Sequence, residues 1–204
     1  MAIYKRFFAQ IYDPVVYDFE KSLFAKRRAL LSNLKGTVLG VGEGTGINFK
    51  FYPKEIDVIA VEPSKAMLKK ARKKNKYGNI SFHNLGINDP ELDNIIEERS
   101  IDAIVCTLVL CTISDPEKAL LNFKKWLKPN GKLIVLEHIH ATKQINKAFQ
   151  NFVNPVWKVF ADGCNLNRNT DLLINEAGFV PVKEEYFKRA LRFYSGIFEL
   201  KESN

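Results

Sequence analysis

An apolar segment that runs straight into four alternating glycines, Val38-Leu39-Gly40-Val41-Gly42-Glu43-Gly44-Thr45-Gly46, narrows what this chain can fold into. Glycine tolerates positive φ and lets another molecule approach the backbone closely. A glycine turn between a buried strand and a helix forms the floor of a nucleotide-like site at the strand's carboxyl end. Asp57-Val58-Ile59-Ala60-Val61 then reads as the next strand and ends in Glu62. A carboxylate at that point is able to accept both hydroxyls of a ribose. The competing reading is a tight strand-to-helix turn that holds no ligand.

Register separates the adenosine ligands. A dinucleotide site needs Gly-x-Gly-x-x-Gly. Counted from Gly40, Gly42 or Gly44, the third glycine slot falls on Thr45, Ile47 or Phe49. A P-loop needs Gly-Lys-Ser/Thr, and Gly46 is followed by Ile47. Nothing basic lies in the loop to hold a pyrophosphate. An adenosine without phosphates fits, and S-adenosylmethionine is the common one.

Strands and helices alternate around this motif. Thr37–Val41, Asp57–Val61, Ile80–Asn84, Asp102–Thr107 and Lys132–His138 read as strands. Gly46–Tyr52, Lys65–Lys76 and Pro90–Glu98 read as the helices between them. Asp115-Pro116 signals a helix start by N-cap and first-turn proline, with an end near Leu127. Pro129-Asn130-Gly131 reads as a tight turn, and Thr170–Ala177 as a helix stopped by Gly178. Phe179–Phe187 and Phe193–Leu200 close the chain as strands. Repeated β-α-β pairs imply an α/β fold, a mostly parallel sheet with helices on both faces.

With 204 residues, 46% of them hydrophobic, the chain is long enough for one domain with a full core. No repeat or linker divides it. The longest uncharged apolar run, Ala103–Ile113, is too short to cross a bilayer. The start, Met1-Ala2-Ile3-Tyr4-Lys5-Arg6, lacks the apolar region of a secretory signal. Three cysteines, Cys106, Cys111 and Cys164, form no CxxC pair, so neither a disulfide framework nor a zinc knuckle is expected and no metal ligand is assigned. Residence in the cytoplasm follows, with at most peripheral contact at a membrane.

The net charge is +8, and Lys65, Lys69, Lys70, Arg72, Lys73, Lys74 and Lys76 cluster without acids. A solvated helix face accounts for them. No aromatic residue is interleaved before Tyr77 and no nucleic-acid motif is present, so nucleic acid is not the expected partner. An anionic membrane surface is the intermediate reading.

The glycine loop, Glu62 and Trp126-Leu127-Lys128-Pro129-Asn130-Gly131-Lys132-Leu133 together resemble the class I S-adenosylmethionine-dependent methyltransferases over most of the chain. Tyr12-Asp13 and Tyr17-Asp18 resemble the opening elements of their quinone and phospholipid branch. Asn48-Phe49-Lys50-Phe51-Tyr52-Pro53, Val105 to Cys111, Leu136-Glu137-His138, Asn154-Pro155-Val156-Trp157 and Asp162-Gly163-Cys164-Asn165-Leu166 resemble the methyltransferase-like thiol methyltransferases of the endoplasmic reticulum. The resemblance implies a Rossmann-like, seven-stranded, mostly parallel sheet with the last strand antiparallel. It implies one methyltransferase domain over 1–204, with an N-terminal helical cap at 1–35 and a helical insert at 142–169 over the substrate site. It also implies a cofactor site at Gly40, Gly42, Gly44, Gly46, Glu62, Pro63, Met67, Gly86, Ile87, Asn88, Thr107 and Leu108.

Three departures stand out. The family carries an acid at the second position of the loop motif, where it orients the methionine part of the cofactor; this chain has Gly40, with Glu43 three residues later. Near the adenine, where relatives place an acid, this chain reads Leu85-Gly86-Ile87-Asn88-Asp89. The thiol-methylating relatives also have an N-terminal membrane segment, and none precedes Tyr4.

A sulfonium methyl is already activated, so the protein mainly aligns donor and acceptor and removes water. A thiol or ammonium acceptor must also lose a proton. His138, where the fifth strand ends, and Asp162 are the candidates for base or orienter; a packed strand-end histidine is the competing reading of His138. The acceptor is expected among Tyr4, Tyr12, Glu137, Phe149 and Trp157. Ile145, Phe149, Phe152, Val156 and Phe160 recur at helical spacing, and Pro155 should break or kink that helix. Most of those side chains are expected to pack on the sheet, the alternative being an apolar lid over a lipophilic acceptor. Methyl transfer to a small or lipophilic acceptor follows, thiol first, a phospholipid amine or quinone next. A fold that binds cofactor without turnover and a nicotinamide oxidoreductase are the remaining alternatives.

Overall fold

The computed structural model describes Pro14, residues 17–75 and residues 78–201. Tyr4, Tyr12, Lys76 and Tyr77 lie outside the described residues. Seven strands form one sheet: β1 (Thr37–Val41), β2 (Asp57–Val61), β3 (Asn79–His83), β4 (Ile101–Thr107), β5 (Leu127–Ile139), β6 (Phe179–Lys188) and β7 (Arg192–Leu200). Their order is β3-β2-β1-β4-β5-β7-β6. The first five run parallel, and β7 inserts antiparallel between β5 and β6. The helices are α1 (Phe24–Leu31), α2 (Lys65–Lys74), α3 (Pro116–Trp126), α4 (Gln144–Phe160) and α5 (Thr170–Glu176). Residues 17–22 are helical as well.

The two faces of the sheet follow from the two-residue period of a strand. Leu39, Val41, Ile104, Cys106, Leu133 and Val135 face one core, with Leu120, Phe123 and Trp126 of α3 and Phe198 of β7. Their neighbours Val38, Ala103, Val105 and Ile134 face the other, with Leu31 of α1, Phe49, Phe51 and Ala71 of α2. Both faces of the central strands are therefore apolar, as parallel strands covered on both sides require.

Several expected elements differ. Gly46–Tyr52 is not a helix; a single 3-10 turn spans Phe49–Phe51, because the loop keeps left-handed φ at Gly44 (+57°) and Gly46 (+81°). Pro90–Glu98 shortens to a 3-10 helix at Pro90–Asn94. Pro129-Asn130-Gly131 does not precede β5 but interrupts its pairing: Ile101 pairs with Leu127, and the ladder resumes at Ala103 with Lys132. Pro155 leaves α4 unbroken. It removes the donor to the Asn151 carbonyl, but Asn151 and Pro155 are both exposed, so water can serve that group. Among the described residues no helix is long and apolar enough to cross a membrane.

Candidate cofactor site and its neighbouring sulfur cluster

At the carboxyl ends of β1 and β2 the glycine loop and Glu62 meet. The Gly44 N–H donates to Glu62 Oε2 at 2.9 Å, and the Ser64 N–H to Oε1 at 2.7 Å. The carboxylate is buried, and these two backbone N–H groups help fix its aim. A Cβ added at Gly44 would meet nothing nearer than the Gly42 carbonyl at 4.0 Å, and one at Gly86 would meet nothing within 4 Å. This open floor beside a fixed carboxylate fits an adenosine ribose; Lys74 Nζ reaches the loop at the Thr45 hydroxyl, 3.0 Å away. Ser64 caps α2 by accepting from the Met67 N–H, so Met67 enters the helix beside the Glu62 turn.

Gly40 gains its meaning from Glu43. A Cβ built on Gly40 would lie 2.0 Å from Glu43 Oε1, so the Glu43 carboxyl fills the space a side chain at residue 40 would occupy. Tyr52 donates to Glu43 Oε1 at 2.6 Å and Asn48 Nδ2 to Oε2 at 3.2 Å. Burial pushes this carboxyl up to about 7, against the pull of those two hydrogen bonds and of Arg27. Arg27 of α1, itself buried, donates to Glu20 (2.7 Å), to Thr107 Oγ1 (2.7 Å) and to Asn48. The Thr107 hydroxyl also receives Asn48 Nδ2 at 3.0 Å, so it belongs to this network. Leu108, next in line, adopts φ +57° and bonds to the Leu136 carbonyl. Glu20 and Arg27 carry no motif of their own. The signals in the sequence were the acid displaced from residue 40 to 43 and the stretch Asn48-Phe49-Lys50-Phe51-Tyr52-Pro53, which holds Asn48 and Tyr52.

Ile87 is buried and Asn88 binds the Asp115 carbonyl at 2.8 Å through Nδ2, which ties the loop after β3 to the start of α3. Pro63 continues the same turn as Glu62, and its carbonyl accepts from Asn84.

One strand further, a second cluster gathers. Glu137 Oε1 accepts the Val109 and Leu110 N–H groups at 2.7 and 2.9 Å, which fixes the loop after β4; burial raises its pKa despite those bonds. His138 Nε2 lies 3.1 Å from Cys164 Sγ, which lies 3.8 Å from Cys111 Sγ. All three residues are buried. The Cys111 contact, opposed by burial and helped by His138 and Trp157, draws the Cys164 thiol down to about 4. Burial disfavours the charged imidazole, but the Cys164 sulfur outweighs it and His138 shifts up. Asp162 lies exposed at φ +46° on the turn after α4 and has no side-chain hydrogen bond to His138. The structure thus joins His138 to two cysteines, not to Asp162.

The insert departs from its expected packing. Ile145, Phe149, Phe152, Val156 and Phe160 are exposed, Phe152 at 84%, while Gln150 is the buried residue of α4. Gln150 Oε1 accepts the Ala141 N–H at 2.8 Å and Asn154 Oδ1 the Leu166 N–H at 2.7 Å. The helix docks through these amides because they answer backbone donors that no sheet partner reaches. A cleft of about 590 Å³ opens beside it, lined by Phe149, Leu166, Tyr186, Phe187 and Leu191 among others. A second cleft of about 430 Å³, around Gly36 and Ile56, sits at the amino ends of β1 and β2, away from this chemistry.

A methyltransferase-domain family model matches residues 39–135. The human thiol S-methyltransferase TMT1A is 31% identical over 189 residues, which cover 87% of this chain and 76% of that protein. The rat thiol S-methyltransferase TMT1B is 32% identical over 197 residues, 90% of this chain and 80% of that one. A SAM-dependent methyltransferase from Aquifex aeolicus shares the fold, with a TM-score of 0.57 at 22% identity, covering 88% of each chain.

Proposed function

Because the chain belongs to the S-adenosylmethionine-dependent methyltransferase family of these relatives, we propose that its acceptor is a thiol, small or lipophilic, methylated on sulfur. The observation that carries the reading is the carboxylate of Glu62, held by the Gly44 and Ser64 N–H groups over an open glycine floor at the end of β1, with β4 between that floor and the buried end of β5. S-Adenosylmethionine, the cofactor, supplies an activated sulfonium methyl when bound. Glu62 receives the ribose hydroxyls, Gly44 and Gly86 leave room, and Glu43 takes the orienting part that its relatives give to an acid at residue 40. The loop from Leu108 to Cys111, braced by Glu137, closes the acceptor side and excludes water.

The lipophilic character rests on α4. Its exposed Phe149, Phe152 and Val156 suit a lipid surface, with the positive net charge favouring an anionic one, and the cleft beside Phe149, where Phe187 and Leu191 stand with Lys143, Lys188 and Arg192, suits an acceptor drawn from it. The experiment is calorimetry with S-adenosylmethionine, then a turnover screen over thiols, amines and quinones. Wild type binds, and Glu62→Ala binds about 1–3 kcal/mol more weakly, as for loss of hydrogen bonds to a charged group. Turnover on thiols alone supports the acceptor; preference for an amine or quinone overturns it. Sedimentation with anionic but not neutral vesicles, reversed by salt, supports the lipid surface; absence from both pellets overturns it.

A further inference from the structure

We propose that Cys111, His138 and Cys164 form a zinc site with three protein ligands and an open fourth position for a sulfur ligand. The three come from separate elements: the loop after β4, the end of β5 and the turn after α4. Their ligand atoms all lie within 4.8 Å of one another, and no other histidine, cysteine or acid joins them among the described residues.

The distances suit one ion. Two thiolates at about 2.3 Å from a tetrahedral zinc stand about 3.8 Å apart, and Cys111 Sγ and Cys164 Sγ stand 3.8 Å apart. A thiolate and an imidazole nitrogen on the same ion stand about 3.5 Å apart, and the Cys164–His138 pair at 3.1 Å needs only a small opening. Two thiolates and a neutral imidazole balance the charge of zinc, so the buried site carries no net charge. Soft sulfur donors with imidazole select zinc over the oxygen-loving divalent cations.

The scaffold is braced as a chelate must be. The Asn165 N–H and Nδ2 both donate to the Cys111 carbonyl, at 2.9 and 3.0 Å, so the two cysteine segments are locked together. Arg168 donates to the Leu110 carbonyl and, at 2.7 Å, to that of Ile113, and Glu137 holds the Val109 and Leu110 N–H groups. Three protein ligands with an open position is the pattern of zinc sites that bind a reactant. A thiol entering there binds as thiolate and releases its proton to solvent; this part rests on the thiol reading above, whereas metal binding does not.

The test uses reduced, chelator-treated full-length protein. Zinc chloride titrated against a chromophoric chelator should bind at one ion per chain. Cobalt(II) should give thiolate charge-transfer bands and the visible bands of a tetrahedral site. Cys111→Ser and Cys164→Ser should each weaken binding by more than about 100-fold, beyond the 10–100-fold typical of losing an outer partner; Cys106→Ala should leave it unchanged. Folded wild type that binds neither ion, or loses nothing on either serine substitution, overturns the site. Adding 2-mercaptoethanol to the cobalt protein should shift the charge-transfer bands; unchanged bands overturn the open position. Zinc binding without thiol turnover leaves the metal site standing and removes the thiol acceptor, and thiol turnover by protein that binds no zinc does the reverse.

Discussion

Helices α3 and α4 each carry an apolar stripe and turn it in opposite directions. In α3, Ala119, Leu120, Phe123 and Trp126 are buried against the sheet, and Lys118 and Lys124 face water. In α4, the aromatic and aliphatic stripe faces outward, and two amides face the protein. Sequence periodicity is the same kind of signal in both. The difference lies in what the surrounding chain offers. Under α3 lies a continuous apolar sheet face. Under α4 lie the loops after β5 and before α5, whose backbone N–H groups need acceptors. Periodicity therefore locates a stripe but does not say which surface it meets.

The comparison breaks first, and by the largest margin, at the aromatic residues. Phe123→Ala in α3 should cost about 3–5 kcal/mol of folding stability in chemical denaturation. A loss as small as that of an ordinary surface change would mean that α3 is not anchored by its stripe.

Buried polar groups set the next contrast. The Glu43 carboxyl, lifted by burial from its ordinary 4.5 to about 7, holds its proton in the folded protein where the unfolded chain releases it. Stability should therefore fall as pH rises from about 4.5 to 7, by about 3 kcal/mol, and Glu43→Gln should remove that slope. Parallel stability curves for the two proteins would place the ionised carboxylate in the folded state. In α4 the buried polar group is uncharged: Gln150→Leu should cost about 1–3 kcal/mol by orphaning the Ala141 N–H, with no pH dependence. A stabilised variant would show that the helix prefers an apolar inner face after all.

Phe152→Ala should change stability by no more than about 0.5 kcal/mol, the range of surface substitutions, while weakening sedimentation with anionic vesicles. A large loss of stability would show Phe152 to be packed, and α4 would then resemble α3.

The fold itself was legible because its signals are local. The run Val38 to Gly46, the strand ending in Glu62, and the cap Asp115-Pro116 each state their conformation in a few residues. The seven strands and the antiparallel last strand came with the family resemblance, and the sheet has both. Boundaries failed where backbone geometry competed with propensity, as in the glycine loop, where left-handed φ at Gly44 and Gly46 leaves no room for a helix before Phe49.

By itself the sequence determined an α/β sheet with a glycine turn at Gly44 and a carboxylate at Glu62, since strand alternation and glycine conformations depend on nearest neighbours in the chain. Only the tertiary structure decided that Glu43 fills the space above Gly40, that Arg27 reaches Thr107, that Cys111, His138 and Cys164 converge, and that α4 faces outward. Except for Gly40 and Glu43, three residues apart in one loop, those groups stand far apart along the chain. Their meeting depends on how parallel strands stack their carboxyl ends side by side, a relation that no local pattern encodes.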